Sequence, residues 1–101
     1  MHRLLVAYPA PVDAGRFMDY YVGRHVPLAR RLPGLLDCRW MQPRALGPGA
    51  PAHFLLFEAD FASEAAMGEA LASAVGQEVA ADVPNYSPAG ATLMHYPVPD
   101  R

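Results

Sequence analysis

Charge, cysteine and basic residues are all scarce in this sequence. Only 18% of its 101 residues are charged, against roughly 25% in an average soluble domain. The eight Lys and Arg residues are outnumbered by ten Asp and Glu residues, so no basic surface is available for nucleic acid or for an anionic membrane. The single cysteine, Cys38, excludes an internal disulfide and is typical of proteins in a reducing compartment.

Long apolar runs and cofactor motifs are missing as well. The apolar run at 4–8 stops at Pro9, which makes it too short for a signal peptide or a membrane span. The sequence contains no G-x-G-x-x-G, Walker or G-x-S-x-G motif. His53 and His95 alternate with apolar residues but lack the clustered spacing of metal or haem ligands. We therefore expect a cytoplasmic protein with no membrane segment, no nucleic-acid partner, no cofactor and no metal.

Apolar residues, by contrast, make up 52% of the chain. With 101 residues, the chain is long enough for one domain, residues 1–101, and not for two. A domain of this size buries only about two-thirds of the surface of its unfolded chain. The surplus of apolar surface therefore favours association with another chain.

Hydrophobic periodicity, interrupted by Pro and Gly, predicts the element order β-α-β-β-α-β. This order corresponds to a ferredoxin-like α+β unit, in which a four-stranded antiparallel sheet carries both helices on one face. Asp13, Ser63 and Ser73 are predicted to cap helices, and Gly34 is predicted to end the first helical region. The predicted strands are 4–8, 35–42, 53–61 and 91–96; the predicted helices are 14–24, one that begins after Ser63 and a shorter one around 74–81; 82–86 is predicted as a turn.

The two faces of the predicted sheet have an unexpected composition. Two helices can cover only one face, and the other face should then be polar. Instead, large apolar side chains alternate onto both faces of the first, third and fourth strands. At roughly 25 cal/mol per Å², leaving such a row in water forfeits several kcal/mol, and a contiguous apolar face is typical of a partner site. The sequence therefore predicts a homodimer in which two sheets pack face to face.

The first helical region contains the strongest candidate for a functional group, His25. Pro27 follows it two residues later, so the helix is expected to kink or restart near Val26. An imidazole with an ordinary pKa near 6.5 suits proton abstraction at neutral pH, and Tyr20 and Tyr21 precede it in the same region. The alternative is a helix-end histidine that bonds a backbone carbonyl or holds the kink at Pro27.

The neighbouring polar residues also allow two interpretations. Tyr20 and Tyr21 differ by about 100° around a helix, so both can hardly face one pocket. One is expected in the core and one at the rim, with Tyr21 nearer His25. Asp82 either orients and charge-stabilises His25 or is a turn carboxylate that bonds nearby backbone N–H groups.

Several stretches of the chain resemble the EthD family. They are Tyr20-Tyr21-x-x-x-His25-x-Pro27-Leu28-Ala29, the following Leu32-Pro33-Gly34, Phe61-x-Ser63, and Ala80-Ala81-Asp82-Val83-Pro84-Asn85-Tyr86. The resemblance covers nearly the whole chain and implies a dimeric α+β barrel of ferredoxin-like units. The family is named after a protein that accompanies a cytochrome monooxygenase system degrading ethers. On the family pattern, the signature positions correspond to His25, Tyr20, Tyr21, Asp82 and Asn85, and Tyr86 adds a hydroxyl where phenylalanine is common.

Similar barrels include cofactor-free isomerases of aromatic-ring catabolism, cofactor-free oxygenases and haem-degrading enzymes. We therefore expect a small, mostly apolar organic ligand between the sheet and the first helix, with His25 at the polar end of the pocket. If the protein is an enzyme, a cofactor-independent isomerase or oxidoreductase of catabolism is expected, with His25 as the base and Tyr21 or Asp82 in support. A non-catalytic accessory protein for an oxidative degradation system and a haem-linked oxygenase are the alternatives. The expected ligand-binding residues are Tyr20, Asn85, Tyr86, Phe57 and Met67.

Overall fold

The computed structural model describes residues 1–99 and has the predicted order of strands and helices. All neighbouring strands are antiparallel, and the first and third strands along the chain occupy the centre of the sheet with the fourth and second at its edges, as in a ferredoxin-like α+β fold. Among these residues, no helix combines the length and the apolar character that crossing a membrane requires. The strands are β1 (His2–Tyr8), β2 (Asp37–Met41), β3 (Leu55–Phe61) and β4 (Thr92–Pro97); the helices are α1 (Ala14–Tyr20), a π-helical turn (Tyr21–His25), α2 (Val26–Ala29), α3 (Glu64–Ala72) and α4 (Ala74–Tyr86).

The first helical region changes its winding where the sequence places Pro27. Asp13 caps α1, as predicted, by accepting a hydrogen bond from the Arg16 backbone N–H at 3.0 Å. The Val26 N–H then bonds to the Tyr21 carbonyl, five residues back, which is the pattern of a π-helix. The predicted restart near Val26 is confirmed, because α2 begins there with its proline in the first turn, where the missing N–H costs no helical bond. The region ends before Gly34, which adopts the predicted left-handed conformation with φ of 75°.

The second pair of helices follows its predicted caps but not its predicted end. Ser63 accepts a hydrogen bond from the Ala66 N–H, and Ser73 accepts one from the Gly76 N–H, each at 3.1 Å. The turn predicted at 82–86 is wrong, because α4 continues to Tyr86 with Pro84 inside it. A proline in the last turn removes only one backbone bond. Hydrogen bonds to Asp82 and burial of Tyr86 hold this turn in helical form.

The core lies between the sheet and the helices. Alternate residues of β1 and β3 face the helices, because directly paired residues of neighbouring strands share a face. Their register pairs Leu4 with Ala59, Val6 with Phe57 and Tyr8 with Leu55. The buried hydrophobic side chains of this face are Leu4, Val6, Tyr8, Cys38, Leu55, Phe57, Ala59 and Phe61.

The opposite face of the sheet is apolar over only part of its area, which corrects the prediction of an apolar face on all three strands. Arg39 donates hydrogen bonds to Asp37 and Asp60 through Nη2 and to Glu58 through Nη1, at 2.9 to 3.0 Å. Arg3 binds both oxygens of Asp60, whose side chain is 4% exposed. The hydrogen bonds from Arg3, ahead of those from Arg39, hold the pKa of Asp60 below its usual value despite burial. The apolar part of this face contains Leu5, Met41, Leu56, Met94 and Tyr96, of which the last two are exposed.

Candidate active site at the α1–α4 contact

Polar side chains from different helical segments meet in one hydrogen-bonded cluster. Asp82 Oδ1 accepts a hydrogen bond from the Tyr20 hydroxyl at 2.6 Å, and Asp82 Oδ2 lies 2.8 Å from His25 Nδ1. Asn85, almost one turn further along α4, donates from Nδ2 to Asp82 Oδ1 at 3.1 Å. Tyr20 is the last residue of α1 and His25 is the last residue of the π-helical turn. The widened turn therefore sets the spacing of the two groups that Asp82 binds.

Burial and hydrogen bonding fix the charge states of this cluster. Burial alone would raise the pKa of Asp82, but the hydrogen bonds from Tyr20, His25 and Asn85 outweigh burial and hold this pKa below its usual value. Burial lowers the pKa of His25, and the attraction of Asp82 offsets this effect only in part. At neutral pH, Asp82 is therefore an anion and His25 is neutral. His25 donates its Nδ1–H to Asp82, which leaves the lone pair of Nε2 available to accept a proton.

Aromatic rings fill the space between the sheet and the first helical region. Tyr8, Phe17, Tyr21 and Tyr86 contact one another with ring centroids 5.2 to 5.7 Å apart. The Tyr8 and Tyr86 hydroxyls share a hydrogen bond of 2.7 Å. Within residues 1–99 the Tyr21 hydroxyl has no hydrogen-bond partner. Burial raises the pKa of Tyr21, and the nearby Tyr8 raises it by a smaller amount. The space in which a ligand pocket was predicted is therefore occupied by side chains.

A groove lies beside this aromatic cluster, between the loop that joins β1 to α1 and the end of α4. Its volume is about 470 Å³, within the range of small-molecule sites. Tyr20, Asn85 and Tyr86, which were predicted to contact ligand, lie in its wall. Arg16 adds a cation to that wall and Asp13 adds a carboxylate, whereas most of the other lining residues are apolar. The lining residues are 9–13, Arg16, Phe17, Tyr20 and 85–89.

The other predicted site residues lie outside the groove wall. His25 is 3% exposed and contacts Tyr86 with ring centroids 4.6 Å apart. Phe57 and Met67 are buried in the core between the sheet and the helices. The structure joins Asp82 to His25 and to Tyr20. Tyr21 lies beside His25, as predicted, with ring centroids 5.3 Å apart, but it is packed in the core, and the tyrosine that binds Asp82 is Tyr20.

Two parts of the site were missed in the sequence. Tyr8 shares a hydrogen bond with Tyr86, which lines the groove, and the loop at 9–12 forms one wall of the groove. The sequence feature that could have indicated this part of the site is Tyr8, an aromatic residue at the end of an apolar strand and directly before the rigid Pro9-Ala10-Pro11 segment.

The fold places the protein among the ferredoxin-like α+β proteins. A dimeric ferredoxin-like protein of unknown function from Jannaschia sp. CCS1 has a TM-score of 0.70, with 19% identity over 96% of this chain and 98% of that one. Searched against family models, the sequence matches none. An EthD family protein from Bacillus halodurans c-125 has a TM-score of 0.87, with 26% identity, and covers 97% of this chain and 98% of its own.

Sequence similarity makes the assignment more specific. The chain is 33% identical over 94 residues, which are 93% of its length and 91% of the relative's, to an uncharacterised 11.0 kDa protein in the thcB-thcC intergenic region of Rhodococcus erythropolis. An EthD-like protein from Ralstonia eutropha JMP134 has a TM-score of 0.76 and 25% identity, covering 94% of this chain and 88% of that one. The chain belongs to the EthD family.

Proposed function

We propose that this protein binds a small, mostly apolar organic molecule in the groove and that His25, oriented by Asp82, acts as a base without a cofactor. The observation that carries the proposal is the connection between the groove and the buried pair. Tyr20 and Asn85 line the groove, and each donates a hydrogen bond to Asp82, the carboxylate that holds His25. A ligand that contacts Tyr20 or Asn85 is thus one hydrogen bond away from the carboxylate of the pair.

The charge states of the pair suit proton abstraction beside a carbonyl group. The neutral imidazole accepts the proton at Nε2, the C–H bond of the ligand breaks, and its electron pair moves to the carbonyl oxygen as an enolate. Asp82 stabilises the imidazolium that forms. Return of the proton to a different carbon completes an isomerisation in which nothing is oxidised or reduced. Arg16, in the groove wall, is the cation available to an enolate oxygen.

A specific observation favours a second candidate function, ligand binding without catalysis. His25 is 3% exposed and is absent from the groove wall, whereas Tyr86, which packs on its ring, is part of that wall. In this arrangement a bound molecule contacts Tyr86 before it can reach the imidazole. A binding or accessory role in an oxidative degradation system does not require the bound molecule to contact the His25 imidazole.

Deuterium exchange separates the two functions. With 2-indanone as the probe in D2O, we expect the protein to shift the amide signals of Tyr20 and Asn85 in NMR spectra and to accelerate exchange of the ketone α-protons. A general base contributes about 10²- to 10⁴-fold, so His25→Gln should lower the protein-dependent exchange rate by at least tenfold while the shifts persist.

Three other outcomes would count against parts of this proposal. Shifts with exchange no faster than in buffer would support the binding function alone. Exchange that survives His25→Gln would remove His25 from the mechanism. Absence of shifts with 2-indanone and with a longer aromatic ketone would contradict ligand binding in the groove. The exposed His53→Gln variant is the matched control and should behave as the wild type.

The proposed molecule is a homodimer, paired through the helix-free face of the sheet. Met94 and Tyr96 on this face are 43% and 36% exposed, and Met94 pairs with the half-buried Leu5 of β1. Leu56 lies on the same face one strand further, in β3. The similar fold from Jannaschia sp. CCS1 is described as dimeric, which supports a dimer as such. The ionic cluster around Arg39 and Asp60 would then lie at one end of the interface, as a polar element that fixes register.

If the dimer forms through this face, a charge introduced into the apolar part of the interface should dissociate it. Met94→Lys places a cation in the apolar part of the interface, so it should convert a species of twice the chain mass into a monomer in size-exclusion chromatography with light scattering. The matched control is Leu93→Lys, on the same strand but directed to the opposite face and 58% exposed. A wild-type protein that is monomeric at micromolar concentration would contradict the dimer. So would an unchanged mass for Met94→Lys.

A further inference from the structure

Two histidines and a glutamate meet at the end of the sheet farthest from the groove. His2 begins β1 and His95 lies in β4, on the face of the sheet that carries the helices. Glu64 is the first residue of α3, which packs over β1 and β3. Tyr8, at the groove, lies at the opposite end of β1, about 20 Å away at ~3.3 Å per residue. The cluster therefore has no contact with the Tyr20–Asp82–His25 site.

The three donor atoms have separations suited to one metal ion. His2 Nε2 is 2.8 Å from His95 Nδ1 and 3.9 Å from Glu64 Oε1, and the last two atoms are 3.6 Å apart. A circle through three points with these separations has a radius of about 2.0 Å, which is the usual distance from Zn²⁺ to a histidine nitrogen or a carboxylate oxygen. A single point near their plane is thus at bonding distance from all three donors.

From these distances, the structure assigns His2, Glu64 and His95 as a binding site for one divalent metal ion of the zinc type. Donors around a tetrahedral zinc ion lie about 3.3 Å apart, and adjacent donors around an octahedral ion lie about 3.0 Å apart. Two of the observed separations, 3.6 and 3.9 Å, exceed both values, and the third, 2.8 Å, is a hydrogen bond between the imidazoles. That hydrogen bond opens by about half an ångström when both rings become ligands. The mean of the three separations is about 3.4 Å, which is nearer the tetrahedral value than the octahedral one, so modest shifts of the partly exposed His95 and Glu64 side chains bring the donors to tetrahedral spacing.

The surroundings allow a metal ion to enter and give it a structural consequence. The His2 side chain is 8% exposed, whereas those of His95 and Glu64 are 47% and 68% exposed. One ligand is therefore fixed in the fold, and the other two can close over an ion that arrives from solvent, leaving the fourth position for water. β4 is an edge strand with exposed side chains, and within residues 1–99 it pairs only with β1. A metal ion at this cluster joins β4 to α3.

Zinc titration of the full chain, purified without a histidine tag, tests the assignment. Isothermal titration calorimetry should give one Zn²⁺ per chain. His95→Gln and Glu64→Gln, both at partly exposed positions that should still fold, are each expected to weaken zinc affinity by at least about tenfold. His53→Gln, an exposed histidine on the loop before β3, is the control and should bind as the wild type does. Zinc should also slow amide hydrogen exchange in β4 of the wild type, and not in His95→Gln.

The contrary results are as definite. The assignment is overturned if the wild type binds no zinc, or if His95→Gln binds it with unchanged affinity while circular dichroism shows a native fold. A Co²⁺ derivative gives an independent measurement, because four-coordinate Co²⁺ absorbs visible light far more strongly than six-coordinate Co²⁺. A weak, six-coordinate spectrum would overturn the tetrahedral arrangement. None of these measurements depends on ligand binding or catalysis in the groove, so the zinc assignment can fail or succeed independently of the proposed function.

Discussion

Gly76→Ala is expected to destabilise the folded protein by about 3 kcal/mol, the upper end of the usual cost of overpacking. An added Cβ at residue 76 would collide with the carbonyl oxygens of Ala70 and Leu71. These are backbone atoms at the end of α3, so no side-chain rotation relieves the collision. The two helices cannot separate easily at this point, because the Ser73 hydroxyl donates a hydrogen bond to the Ala70 carbonyl at 2.6 Å and also accepts one from the Gly76 N–H. Urea unfolding followed by circular dichroism should show the loss as a lower midpoint with an unchanged slope.

A second glycine in the same pair of helices provides the control. Gly68 lies inside α3, and a Cβ added there meets no atom within 4 Å. Gly68→Ala should therefore stabilise the protein by about 0.5 to 1 kcal/mol, through helix propensity alone. Equal unfolding midpoints for the two variants would show that the α3–α4 junction is less tightly packed than the structure indicates.

Most of the fold follows from signals that act over a few residues. Asp13, Ser63 and Ser73 each precede a helix and accept the predicted backbone bonds, and Gly34 has the predicted left-handed conformation. The sequence could not show that α4 continues through Pro84, because the interactions that hold its last turn come from Tyr20 and His25, about 60 residues away in the chain. Tertiary contacts override local propensity there.

The composition of the helix-free sheet face was misjudged for a similar reason. Read one strand at a time, Glu58 and Asp60 are two charges among apolar residues of β3. Only the register of β3 against its neighbours places Arg3 and Arg39 beside them, so that four charged side chains become one connected cluster. Strand register depends on long-range pairing, which alternation within one strand does not specify.

The residues of the candidate site could be predicted from the sequence, but the hydrogen bonds between them could not. His25, Asp82 and Tyr20 were all singled out from the sequence. Which tyrosine reaches the carboxylate depends on the π-helical turn, and one proline residue does not define such a turn. The groove depends on a loop meeting the end of a helix whose extent was itself underestimated. These features exist only in the assembled chain.

Asp82→Ala is expected to cost about 3 kcal/mol of folding free energy at pH 8, since three hydrogen bonds to one carboxylate are lost at about 1 kcal/mol each. One of the three lost bonds leaves the Nδ1–H of His25, whose side chain is 4% exposed, buried without a partner. Tyr21→Phe is the matched control, because it removes a hydroxyl that has no partner among residues 1–99. Its stability should equal or slightly exceed that of the wild type. A loss under 1 kcal/mol for Asp82→Ala would contradict the hydrogen-bonded cluster.

The pH dependence of stability identifies His25 within this cluster. Its pKa is lowered in the folded protein, so above the ordinary histidine value of 6.5 both folded and unfolded states are neutral and the full stability is present. As the pH falls below 6.5, the unfolded chain binds a proton at His25 before the folded protein does, and stability is lost until the folded pKa is reached. Asp82, whose folded pKa is also lowered, adds its loss of stability only below about pH 3.8.

Between pH 7 and pH 5, His25→Gln should therefore lose less unfolding free energy than the wild type does. Asp82→Ala should lose at least as much as the wild type, because removing the carboxylate lowers the pKa of His25 further. Parallel pH profiles for the wild type and His25→Gln would show that His25 is not the buried, neutral base that the proposed chemistry requires.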